Sequence, residues 1–168
     1  MLTLPGTNLV VHELCLGGNV FGWGADKAES IDVLNAYASH GGNFIDTADL
    51  YSEWKPGNVG GESERIIGEW LRGRDRSEVV IATKVSLYSK RPGLRPENII
   101  TACNESLERL GTDYIDIYYS HKDDNEVPIA ETLGAYAQLI KAGKVRYIAA
   151  SQHTGARLQE AQIGRAHV

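Results

Sequence analysis

Two rhythms of apolar residues alternate along the chain. Short runs are apolar at consecutive positions and rich in β-branched residues, which suits strands buried on both faces. Between them, apolar positions return every three or four residues, as on a helix with one buried face. "HELCLGG" (12–18) reads as a short strand. In "DKAESIDVLNAYASHGG" (26–42) Asp26 caps a helix, Glu29 completes a capping box, Gly41 stops it, and Ile31, Leu34 and Ala38 share a face. "NFIDTA" (43–48) is the next strand. A long loop, "DLYSEWKPGNVGG" (49–61), leads into the helix "ESERIIGEWLRG" (62–73), with Ile66, Ile67, Trp70 and Leu71 inward. "EVVIATK" (78–84) is a third strand. Pro96 opens a helix over 96–110 that Gly111 closes. "DYIDIYYSH" (113–121) is a fourth strand, "PIAETLGAYAQLIKAG" (128–143) a helix, "KVRYIAAS" (144–151) a fifth strand, and "GARLQEAQ" (155–162) begins another helix.

Repeated strand–helix units with doubly buried strands predict an α/β fold, a parallel sheet covered by helices. A doubly wound nucleotide-binding sheet carries GxGxxG after its first strand; here "GGNVFGWG" (17–24) follows, and its spacing does not fit. The pattern therefore predicts a partial (β/α)8 TIM barrel. A complete barrel needs roughly 250 residues; this chain has 168 and carries about five of the eight units, read as a single domain over 1–168, the N-terminal portion of a barrel.

The net charge of −5 shows no basic cluster, which argues against nucleic-acid or anionic-membrane partners, and "SKR" (89–91) reads as solvated loop. No apolar run approaches a membrane span, and no secretion signal opens the chain. Cys15 and Cys103 form neither a CxxC pair nor a metal-ligand cluster, so no metal is expected and both read as packing residues of a reduced, cytoplasmic protein.

Barrel chemistry collects where strands end. The second strand ends in Asp46, with Tyr51 in its loop; the third ends in Lys84, the fourth in His121, the fifth in Ser151 and Gln152. Any one of these is unremarkable, but four successive strands deliver polar groups to one rim. A buried Lys84 needs a counter-charge, and Asp46 on the adjacent strand supplies it. A phenol ordinarily ionises near pH 10, too high for an effective proton donor at neutrality. Lys84, held by Asp46, tunes Tyr51 as a general acid, an effect worth roughly 10² to 10⁴ in rate. His121 is placed to hydrogen-bond a carbonyl oxygen.

At this point the chain closely resembles the aldo-keto reductase family. "GGNFIDTADLYS", "GGESERIIGEWL", "VVIATK", "SLERLGTDYIDIYYSH" and "AGKVRYIAASQHT" are similar to that family's motifs in order, over residues 10–160, with wording nearest its bacterial and potassium-channel β-subunit branches. The resemblance implies an NADP(H)-dependent oxidoreductase reducing small-molecule aldehydes or ketones, with Asp46, Tyr51, Lys84 and His121 as catalytic residues. It implies that Asp46, Ser151 and Gln152 hold the cofactor, although Gln152 stands where the family usually has Asn. Phe21, Trp23 and Trp54 lie in loops over the rim and either line a substrate pocket or cap the barrel.

The family's last three strands supply a nicotinamide-stacking residue and a phosphate-gripping loop. Without them the first and fifth strands are exposed edges, so self-association and little turnover are expected. The tail 162–168, "QIGRAHV", resembles a translated sequencing-library adapter and is expected to be non-native. Three other readings stay open: an NADP-binding regulatory subunit, an inactive fragment, and a Schiff-base aldolase acting through Lys84. The Asp46 pairing disfavours the last, because a Schiff-base lysine is better left uncharged.

Overall fold

The computed structural model describes residues 1–165, with side chains described through Gln162; residues 166–168 of the tail 162–168 lie outside the described residues. The β-branched run Val80–Val85 is buried at all six positions and forms the centre of a parallel sheet. Two-residue strands β1 (Leu2–Thr3) and β2 (Val10–Val11) precede that sheet. The sheet comprises β3 (Leu16–Gly17), β4 (Phe44–Asp46), β5 (Val80–Val85), β6 (Ile115–Ser120) and β7 (Val145–Ala150), in that order. Helices α1 (Lys27–Ser39), α2 (Glu62–Leu71), α3 (Pro96–Leu110) and α4 (Ile129–Lys141) make the crossovers, and α5 (Gly155–Arg165) follows β7. Each strand pairs in parallel with the next in sequence, the stepwise order of an α/β barrel wall.

Capping fixes the helix ends. Asp26 and Glu29 form a reciprocal capping box on α1, and Gly111 closes α3 with φ 64°, a left-handed position that glycine adopts without a Cβ clash. Ile45, Ile67, Ile81, Ile99 and Leu110 are fully buried between the sheet and its helices. Each such side chain contributes about 1.5–3 kcal/mol. Gly68 lets α2 approach the backbone of α3 at Arg109 and Leu110 so closely that a Cβ there would overlap it.

The inner face of the sheet has a separate core. Val80, Ala82 and Ile117 pack with Leu9 and Val11, which come from the N-terminal hairpin. Strands this short leave no alternation in the sequence to predict the hairpin. Its antiparallel pairs, Leu2 with Val11 and Thr3 with Val10, cover one end of the barrel wall. Asn43 stitches it to the start of β4, accepting from the His12 amide and donating to the Val10 carbonyl. At its tip, the Asn8 amide donates to the Tyr147 hydroxyl, which donates back to Asn8 Oδ1 at 2.9 Å.

Two further expectations are corrected. Cys103 is buried, but Cys15 is exposed, because it lies beside β3 at the sheet edge, where no further strand covers it among the described residues. Arg91 is not a solvated loop residue: it donates to Asn98 and makes a two-pronged contact with Glu105. Among the described residues, no helix is long and apolar enough to cross a membrane, and no group of His, Cys, Asp and Glu is arranged to hold a metal.

Candidate active site

Alternation along β5 sends Ile81, Thr83 and Val85 toward the helices and Val80, Ala82 and Lys84 toward the inner face. Parallel register then decides what Lys84 meets. Asp46 pairs with Ala82 on one side, and Tyr119 pairs with Lys84 on the other. The Lys84 side chain is 9% exposed and Asp46 29%.

Lys84 Nζ donates to Asp46 Oδ2 at 2.6 Å, to the Thr47 carbonyl at 2.8 Å and to the Tyr51 hydroxyl oxygen at 3.0 Å. An ammonium has three protons, and here three oxygens take them. The consequence falls on Tyr51. Its oxygen already accepts from a cation, so its own proton points elsewhere, and it meets no acceptor among the described residues. The ammonium also stands 4.8 Å from the Tyr51 ring centroid.

His121 closes the group. Its amide donates to the Val85 carbonyl at 2.8 Å, and its ring lies 6.0 Å from that of Tyr51, edge to face. Burial first, and the Lys84 charge second, hold its imidazole down to about 4. At neutral pH His121 is therefore uncharged, one ring nitrogen carrying a proton. Its Nδ1 is buried with no partner among the described residues.

Ser151 and Gln152 stand at the end of β7. The Ser151 amide donates to Ser120, and Gln152 Nε2 donates to the His121 carbonyl at 3.1 Å. Gln152 has φ 53°, left-handed for a non-glycine residue, which turns its side chain back toward β6. Trp54 sits 6.2 Å from Tyr51, and Trp23 sits 5.8 Å from Trp54, both edge to face. The two indoles are exposed by 45% and 47%.

Phe21 does not join them. It is 1% exposed and packs within the helix-side core, its ring against Gly18 and its carbonyl accepting from the Ser52 hydroxyl. The structure thus brings Asp46, Tyr51, Lys84, His121, Trp54 and Trp23 together, sets Ser151 and Gln152 beside His121, and buries Phe21. Tyr119 belongs with the group as well, 6.0 Å from Lys84 Nζ across the sheet. Its signal was the period-2 alternation in "DYIDIYYSH", which sets Ile117 and Tyr119 on one face.

Residues 13–167 match the model of the Aldo/keto reductase family. The aldo-keto reductase str7 of Strobilurus tenacellus is 38% identical over 134 residues, 79% of this chain and 37% of that protein. Norsolorinic acid reductase A of Aspergillus parasiticus is 33% identical over 88% of this chain and 41% of its own length. The uncharacterized oxidoreductase YrpG of Bacillus subtilis is 36% identical over 95% of this chain and 51% of its own. Among solved structures, the thermostable aldo-keto reductase Tm1743, crystallised with the inhibitor epalrestat, superposes with a TM-score of 0.80 at 28% identity, over 98% of this chain and 57% of that one. The chain spans about half the length, or less, of these curated relatives.

Proposed function

Because the chain belongs to the aldo/keto reductase family, we propose that it carries the proton-donating site of an NADP(H)-dependent reductase of aldehydes and ketones, with Tyr51 as general acid. The supporting observation is the saturated ammonium of Lys84, whose contact with the Tyr51 oxygen leaves the phenol proton free to be given away.

The residues present fit the nicotinamide end of such a dinucleotide. Asp46 Oδ1 makes no hydrogen bond among the described residues, and the Ser151 hydroxyl and Gln152 amide stand together on the same rim. We assign these three residues to the cofactor, and NADP(H) follows from the family resemblance. When bound, the reduced dinucleotide supplies a hydride to the carbonyl carbon. Tyr51 gives its proton to the carbonyl oxygen, which completes the alcohol. Lys84 stabilises the phenolate left behind, and Asp46 holds Lys84 in place. Neutral His121 offers one N–H to orient the carbonyl. Trp23 and Trp54 form the apolar approach for the substrate.

We further propose a reducing, cytoplasmic setting, which suits two free cysteines. The five-stranded sheet is open at β3 and β7 among the described residues. We propose that the longer edge, β7, pairs with a second copy and that turnover by this chain is slow.

The test is alcohol formation from NADPH and an aldehyde at high protein concentration. The wild-type chain should show a slow rate that is about 10²-fold or more above that of Tyr51→Phe. Equal rates for the two proteins would remove Tyr51 from the chemistry.

A further inference from the structure

Behind the Lys84 group, on the helix side of the sheet, lies an ionisable side chain that the proposed chemistry does not use. Asp49 follows β4 by three residues and is 3% exposed. Both its carboxylate oxygens are buried, and neither has a hydrogen-bond partner among the described residues.

The charges around it come from several elements. Glu64 of α2 is fully buried, accepting from Thr83 Oγ1 at 2.5 Å and from Arg109 Nε at 2.6 Å. Arg109 of α3 also reaches Ser106 and Glu105. Arg91, in the loop before α3, pairs with Glu105 at 2.6 Å. Tyr118 of β6 and Tyr136 of α4 add phenols that burial keeps neutral. Lys84 of β5 is near in backbone, but its ammonium lies on the opposite face. Arg109 and Arg91 are engaged by Glu64 and Glu105, and their residual pull on Asp49, with that of the Leu50 amide, does not outweigh its burial. Burial first, and the Glu64 charge second, push the Asp49 carboxyl up to about 8. An ionised Asp49 would be an unpaired buried charge beside a like one.

Asp49 is also fixed to the site by its backbone. Its amide donates to the Lys84 carbonyl at 3.2 Å. Thr47, two residues earlier, donates to Ala82 through its amide and accepts from Lys84 Nζ. Two residues later, the Tyr51 amide donates to the Ala48 carbonyl. The turn ends at Ser52, with φ 75°, anchored to Phe21. Asp49 is thus the buried peg of the turn that presents Tyr51 on its other side.

We propose that Asp49 is a positioning residue for Tyr51: with its proton it stays seated between α2 and α3 and keeps the Tyr51 hydroxyl on Lys84, and without the proton it leaves that seat and carries the turn with it. This role rests on the proton-donor reading of Tyr51, yet the seat can be observed without turnover, so an inactive chain does not affect the test.

The test uses the full chain labelled with 5-fluorotryptophan, followed by fluorine NMR from about pH 6 to pH 10. Trp54, edge-on to Tyr51, is assigned with Trp54→Phe and reports the turn. Its resonance is expected to move with a midpoint near 8, to stay still in Asp49→Asn, and to titrate roughly a unit or more lower in Glu64→Gln. A Trp54 titration that survives Asp49→Asn, or a wild-type resonance flat across the range, overturns the proposal. If Asp49→Asn fails to fold, Glu64→Gln decides: an unmoved midpoint overturns it too.

Discussion

Lys84 Nζ stands 3.0 Å from the hydroxyl oxygen of Tyr51, joining residues 33 positions apart. One side chain leaves the end of β5, the other the turn after β4. Parallel strands end on one rim, so neighbouring C-terminal ends meet without any long excursion of the chain. The contact depends on Asp46, which occupies the ammonium from the other side at 2.6 Å.

Tyr51→Phe removes the phenol oxygen but leaves the ammonium two of its three acceptors. Carbonyl reduction is expected to fall about 10²- to 10⁴-fold, with little change in Tm. NADPH consumption and a thermal melt together check it; a large loss of Tm would mean that the hydroxyl is chiefly structural.

Lys84→Met has the opposite balance. It strands Asp46 on the inner face with a charge and no cation. A fully buried pair broken in this way costs about 3–5 kcal/mol; with Asp46 29% exposed, about 1–3 kcal/mol is expected. Urea unfolding measures it, and adding Asp46→Asn to Lys84→Met should restore part of the loss.

Most strands and helices were legible in the sequence because burial writes a period. "EVVIATK" reads as a strand because both of its faces are apolar, and β5 is buried throughout. The hairpin was not legible, since two-residue strands are too short to show alternation. Phe21 was misplaced because an aromatic in the glycine-rich run "GGNVFGWG" gives no sign of which way the loop turns it. Asp49 was missed for a different reason. An aspartate just past a strand reads as loop polarity, and nothing in its local sequence marks it as 3% exposed.

Asp49 gives stability a pH dependence of uncommon sign. Its carboxyl is held up to about 8 against an ordinary 3.8. Between those values the folded chain keeps a proton that the unfolded chain has released, so stability falls as pH rises from about 4 to about 8. Asp49→Asn removes that slope and should be the more stable protein at pH 8, as chemical unfolding at several pH values would reveal.

His121 acts at the acid end. Its imidazole is held down to about 4, against an ordinary 6.5. There the unfolded chain takes up a proton that the folded chain refuses, so this share of stability is lost as pH falls from about 6.5 to about 4. The full shift corresponds to about 3 kcal/mol, and partial exposure of the ring reduces the expected loss to about 1–2 kcal/mol. His121→Gln should shrink the stability difference between pH 7 and pH 4 by that amount.

Gly68→Ala tests the packing behind the site. The added methyl meets the α3 backbone at Arg109 and Leu110, which has no flexible end to yield. Overpacking of this kind costs about 1–3 kcal/mol. Displacement of α3 should also loosen the Arg109–Glu64 pair, visible as faster amide exchange in α2.

The hairpin tip meets Tyr147 across 139 residues of chain. During synthesis at about 5–20 residues per second, Asn8 waits roughly 7–30 s for that partner to be made. Until then Leu9 and Val11 have no complete inner face to cover, and closing so long a loop comes late in folding. A segment made well before its partner is therefore among the last to settle, and its docking marks the moment when the strand wall is assembled.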